Sequence, residues 1–112
     1  MRIKRWETLE GFNAVVAYVA AKDEFHDFRL GNIEWRGEQL RIAIEGEARV
    51  WYFTFTGVSE LEFDMDCVLP AYVTEMGIKG HNVLLDLNNG WFSFRAREVT
   101  LEIPRREEKQ DE

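Results

Sequence analysis

The hydrophobic period of this chain changes near residue 27, and that change limits the folds open to it. Before it, Leu9, Phe12, Val16, Val19 and Ala20 recur at helical spacing. After it, apolar and polar residues alternate one by one almost to the end. Trp51, Phe53 and Phe55 alternate with Tyr52, Thr54 and Thr56, and Leu61, Phe63 and Met65 with Glu60, Glu62, Asp64 and Asp66. Alternation turns successive side chains to opposite faces of a sheet, whereas the earlier spacing puts them on one side of a helix. The chain therefore reads as one helix followed by a succession of half-buried strands.

The helical pattern runs from Glu7 to Lys22, with Thr8 placed to cap it and Ala14, Ala17 and Ala21 forming a small-residue face opposite the apolar stripe. Asp23 to Asp27 is a polar connector. Phe28 and Leu30 differ in parity from Ile33 and Trp35, so a β-bulge is expected at Gly31-Asn32. Arg36-Gly37-Glu38-Gln39 reads as a tight turn with glycine in its first central position. That turn pairs Trp35 with Leu40, Ile33 with Ile42, and Glu34 with Arg41 on the other face. Strands follow at Arg49 to Thr56 and Glu60 to Asp66.

Cys67 to His81 is the least regular stretch and reads as a long loop, with one helical turn at Ala71 to Met76. Asn89-Gly90 is the standard pair for a type I′ hairpin, setting Leu87 opposite Phe92, Leu85 opposite Phe94 and Val83 opposite Ala96. Parity shifts again after Arg97-Glu98, where a second bend is expected before Val99, Leu101 and Ile103. Pro104 ends the last strand, and Arg105 to Glu112 is a polar, disordered tail. The expected fold is α+β, mainly β. An N-terminal helix precedes about six or seven antiparallel strands in a strongly curved sheet or partly open barrel. Residues 1–104 make a single domain.

Composition narrows the function classes. Of the 112 residues, 46% are hydrophobic, enough for a core, yet no apolar run is long enough for a membrane span. With 14 basic and 21 acidic residues the net charge is -7, which argues against binding nucleic acid by phosphate neutralisation. The one cysteine, Cys67, cannot form an internal disulfide, and the carboxylates of Asp64 and Asp66 before it disfavour a thiolate nucleophile. Arg2, Lys4 and Arg5 before an apolar run at Ala14 to Ala21 mimic a secretion signal. Glu7 and Glu10 interrupt that pattern, so a cytoplasmic location is expected.

Two constellations stand out. Glu60, Glu62, Asp64 and Asp66 place four negative charges within seven residues on one expected strand face. Such a stripe suits a basic protein partner, and its bland alternative is a solvated face that blocks edge-to-edge aggregation. Tyr52 and Trp91 are aromatics on the polar side of their strands and are candidates for the same binding face. The second constellation, His26-Asp27, has acid-base residues at the helix-to-strand corner. Neighbours on a strand point to opposite faces, so a structural role is expected, with Phe25 stapling the corner and Asp27 accepting backbone N–H bonds. His81 reads as an exposed loop residue. No phosphate loop, nucleophile elbow or metal-ligand spacing is present, so no catalytic residue, metal or cofactor is assigned.

Phe25-His26-Asp27-Phe28-Arg29, then Ile33, Leu40-Arg41-Ile42 and Phe55-Thr56-Gly57-Val58, resemble a loose group of small bacterial proteins. That group shares a helix, a Phe-His-Asp motif and a curved antiparallel sheet, and some members look like immunity proteins of toxin systems. The resemblance spans roughly residues 9 to 103 and implies no catalytic residue. The function expected is thus a non-enzymatic interaction protein, of immunity type, that meets a basic protein through its acidic face. Neither nucleic acid nor membrane is an expected partner, and a homodimer is an alternative assembly. The alternative function is a small-ligand binder or minor enzyme using the concave face of the sheet, with His26 or His81 inside.

Overall fold

The computed structural model describes residues 6–65 and 71–104. Its elements are β1 (Trp6–Glu10), α1 (Phe12–Ala21), a short 3-10 turn (Asp23–Phe25), β2 (Arg29–Arg36), β3 (Gln39–Gly46), β4 (Arg49–Thr56), β5 (Ser59–Met65), β6 (Ala71–Lys79), β7 (Asn82–Leu87), β8 (Gly90–Arg95) and β9 (Glu98–Pro104). All nine strands join one open antiparallel sheet, in the order β1-β9-β4-β3-β2-β6-β7-β8-β5. The class is α+β, mainly β, as expected. The described residues form nine strands rather than the six or seven expected, because β1 and β6 are not legible as strands in the sequence. The expectations at Asp66, Cys67, Leu69-Pro70 and residues 105–112 lie outside the described residues.

The helix begins five residues later than its pattern suggests. Trp6–Glu10 pairs with β9, Leu9 opposite Leu101, and Gly11 then turns the chain at φ 95, a value costly for any residue with a Cβ. Gly11, not Thr8, occupies the cap position. Val15 and Val19 are the buried pair, one turn apart, while Val16 and Ala20 face outward. Nearly every residue of Phe12–Ala21 is apolar, so the faces differ little in hydropathy. The anchored entry from β1 decides which face turns inward.

Two local expectations match the structure. The β2–β3 ladder shifts register between Leu30 and Asn32, and Trp35 opposes Leu40, Ile33 opposes Ile42 and Glu34 opposes Arg41. Gly37 takes φ 60 at the turn. Two others do not. β6 is a nine-residue strand where a loop with a helical turn was expected. Its ladder with β7 shifts between Val73 and Glu75, so the apolar parity changes from Ala71 and Val73 to Met76 and Ile78 within one strand. That broken alternation hides the strand. In the β7–β8 hairpin Leu87 opposes Gly90, so the turn is Asn88-Asn89 and the register lies two residues from the expected one. Neither asparagine has positive φ, and Gly90 sits at φ 140, so the type I′ turn does not form there. A slip of two keeps every side chain on its face but changes its neighbours.

The sheet has two halves, β1-β9-β4-β3-β2 and β6-β7-β8-β5, hinged by a short ladder at Arg29–Tyr72 and Leu30–Ala71. The chain passes between halves after β4 and again after β8. The expected bend near Arg97 is one of these passages, with Ala96 N–H donating to His81 and Arg97 N–H to Thr56. The halves fold onto one another, since the rings of Phe55 in β4 and Phe94 in β8 meet edge to face at 4.8 Å. Phe25, Trp51 and Phe53 pack into the same core, each at most 1% exposed. Burying a side chain such as Phe53 contributes about 2–3 kcal/mol. No buried polar residue interrupts this core among the described residues.

Candidate functional site

Residues directly opposite one another in an antiparallel ladder share a face. Glu75 opposes Asp86, Asp86 opposes Trp91, and Trp91 opposes Asp64. These four side chains therefore form one row across β6, β7, β8 and β5, on the face away from the core. At a strand spacing of about 4.8 Å the row is roughly 14 Å long. Beside it runs a second row, Gly77, Leu84, Ser93 and Glu62, in which Leu84 is 40% exposed. Trp91 is thus a half-buried indole flanked by carboxylates on both sides.

The acidic ladder survives only in part. Glu62 and Asp64 keep alternate positions on this face. Glu60 does not, because the β5–β8 ladder shifts between Ser59 and Glu62 and Glu60 itself adopts φ 57. Asp66 lies outside the described residues. Glu75 and Asp86 offset the loss, although neither is among the residues expected on this face. Glu75 lay in a stretch read as loop, and the shifted hairpin register put Asp86 beside Ser93 rather than Trp91. The only signal for them was acidic residues at alternate positions next to aromatic ones.

The carboxylates of Glu60, Glu62, Asp64, Glu75 and Asp86 form no ion pair or hydrogen bond with a described residue; the Thr74 hydroxyl donates to the Asp86 backbone carbonyl instead. An open depression of about 720 Å³ lies where α1 passes β6 and β7; Glu24, Glu60, Glu62 and Glu75 line it, with Lys79 as the one base among its described lining residues. Carboxylates gathered at a concave surface focus negative potential toward solvent. Lys79 and Arg95 form a basic fringe, two residues along the strands from the acidic rows.

The other candidates sit elsewhere. Tyr52 opposes Ala43 and Glu102 on the other half of the sheet, and the Arg41 guanidinium covers its ring at 4.2 Å. The acidic face does not include it. His26 and Asp27 touch, Nδ1 to Oδ2 at 3.2 Å, although they are sequence neighbours, because this corner is a turn and not a strand. Both side chains are more than half exposed. Phe25 anchors the corner as expected, but Asp27 participates through its backbone N–H, which donates to Val73 at 2.7 Å. His81 is exposed in the β6–β7 turn, its Nδ1 2.9 Å from the Ala96 carbonyl and its ring against the edge of Phe12.

Among the described residues no cluster of His, Cys, Asp and Glu is placed to hold a metal ion, and no helix is long and apolar enough to cross a membrane. Comparison with protein families, curated proteins and solved structures finds no match.

Proposed function

We propose that this is a non-enzymatic protein-interaction module that binds a basic protein through the outer face of β6-β7-β8-β5. The single observation that carries this reading is Trp91 set between Asp86 and Asp64, with Glu75 next in line. Like charges directly opposite on neighbouring strands, as at Glu75 and Asp86, destabilise a sheet. An arrangement with a folding cost and no partner among the described residues fits a face whose binding partner supplies the countercharge. Trp91 and Leu84 provide the apolar contact that charge alone lacks, since an aromatic ringed by polar groups is the common composition of an interaction hot spot. Long-range attraction to a basic partner would speed encounter and weaken as salt is added.

An immunity-type role, in which the bound partner is a basic toxin, is the biological setting that suits this chemistry. Both histidines are exposed and lie away from the acidic rows, so the acidic face is favoured over a ligand site built around either of them.

Co-expression with the products of neighbouring genes, followed by size exclusion, tests the reading. The expected result is a complex with a basic protein that is lost in the Asp64→Lys, Glu75→Lys, Asp86→Lys triple variant. A complex that survives both this variant and high salt would overturn it.

A further inference from the structure

The row that carries the core across this half of the sheet does not stop inside the protein. Met76 opposes Leu85, Leu85 opposes Phe92, and Phe92 opposes Phe63. The first three are at most 3% exposed, and Phe63 is 58% exposed. Phe63 lies on β5, which ends the sheet order, so no described strand pairs with its other side. Glu62 and Asp64 flank it on the opposite face. The regular part of β5 is short, because the bulge at Glu60 breaks the ladder.

Charges and bulges on a terminal strand ordinarily protect it from stray pairing. A purely protective edge would not hold an exposed phenylalanine at the centre of its regular stretch. We infer that β5 accepts an extended segment of the partner as a further strand, and that this segment alternates basic with apolar residues. Two basic residues separated by one apolar residue would set the bases against Glu62 and Asp64. The apolar residue between them would then meet Phe63 on the inner face. Backbone hydrogen bonds to the edge that no described strand occupies would supply affinity, and the alternating side chains specificity.

A second copy of this chain fits less well. Antiparallel pairing of two β5 strands centred on Phe63 would place Glu62 opposite the partner's acidic residue, a like-charge pair on each side. This inference rests on the acidic-face reading and specifies how that face is used.

The experiment uses the wild-type chain and synthetic peptides of about ten residues, the length of a long strand. One peptide alternates Lys with Val, a second has Glu in place of Lys, and two more carry N-methyl groups on alternate residues of the Lys peptide in either register. The Lys peptide should bind at least about tenfold more tightly than the Glu peptide, and one N-methylated form should lose about tenfold. Backbone amide shifts should centre on Leu61 to Asp64. Phe63→Thr and Glu62→Lys should each weaken binding while circular dichroism stays unchanged. If the Lys peptide shifts Trp91, Leu84 and Asp86 instead and tolerates both N-methylation patterns, strand addition is wrong and the acidic-face reading stands. If Lys and Glu peptides bind alike, both fail. A dimer of the free chain that Phe63→Thr dissolves would assign the edge to a second copy and overturn the inference.

Discussion

The indole N–H of Trp51 donates to the Tyr18 hydroxyl at 2.9 Å, tying α1 to the centre of the sheet. Trp51 is 1% exposed, so its donor has no route to water without this oxygen. Tyr18→Phe removes the acceptor and leaves the packing of the ring in place. The expected loss is about 1–2 kcal/mol of stability, the usual penalty for a buried donor left unpaired. Urea unfolding should show a lower midpoint with an unchanged slope. An unchanged midpoint would mean that the bond contributes nothing net.

The β3–β4 turn holds Glu47 at φ 53 and Ala48 at φ 62, between Gly46 and Arg49, which pair. Positive φ at both central residues defines the type I′ hairpin turn, here without the glycine or asparagine that usually marks it. Ala48→Gly should stabilise the protein by about 0.5–1 kcal/mol, since relief of the left-handed penalty outweighs the extra unfolded-chain entropy. Ala48→Val should do the opposite. Thermal unfolding of the two variants, compared with wild type, decides the matter.

Glu47 accepts from Arg49 at 2.6 Å and from Lys22 at 3.3 Å. The hydrogen bond from Arg49, then that from Lys22, hold its carboxyl below the usual glutamate value. A depressed folded pKa means the unfolded chain takes up the proton first as pH falls. The Glu47 contribution is therefore present above the ordinary glutamate range near 4.5 and fades as pH drops through the lower folded value. The stability gap between wild type and Glu47→Gln should close over that window. A gap constant from neutral pH to well below 4.5 would contradict the assignment.

Glu75 and Asp86 make opposite demands on folding and binding. Glu75→Lys replaces a like-charge cross-strand pair with an attractive one, so it should stabilise the free protein by about 0.3–1 kcal/mol. The same change removes a charge that a basic partner would meet, so affinity should fall while stability rises. Chemical denaturation and a binding titration on one variant measure both. A variant that loses stability and affinity together would point to a structural role for Glu75.

Much of the local structure is legible in short runs of adjacent residues. The bulge at Gly31, the turn at Gly37 and the β2–β3 pairing of Ile33, Glu34 and Trp35 follow from alternation and from glycine's backbone freedom, both properties of a few adjacent residues. The inward set of β4, Trp51, Phe53 and Phe55, was legible for the same reason. β6 was not, because a register shift inside it breaks the alternation that signals a strand. The type I′ turn at Glu47-Ala48 carried no signal, while Asn89-Gly90 carried a strong one that the Asn88-Asn89 turn overrode.

The tertiary structure alone decided which strands are neighbours. A parity shift in sequence looks the same whether a strand bulges, as at Gly31, or leaves one half of the sheet for the other, as after Thr56 and Arg95. The contacts that distinguish these cases are made by residues far apart in the chain. The acidic face illustrates the consequence. Glu62 and Asp64 were visible as a stripe, but their neighbours Trp91, Asp86 and Glu75 come from three other strands. Only pairing between those strands, supported by the packing of Phe92, Leu85 and Met76 along the inner face, brings them into one row.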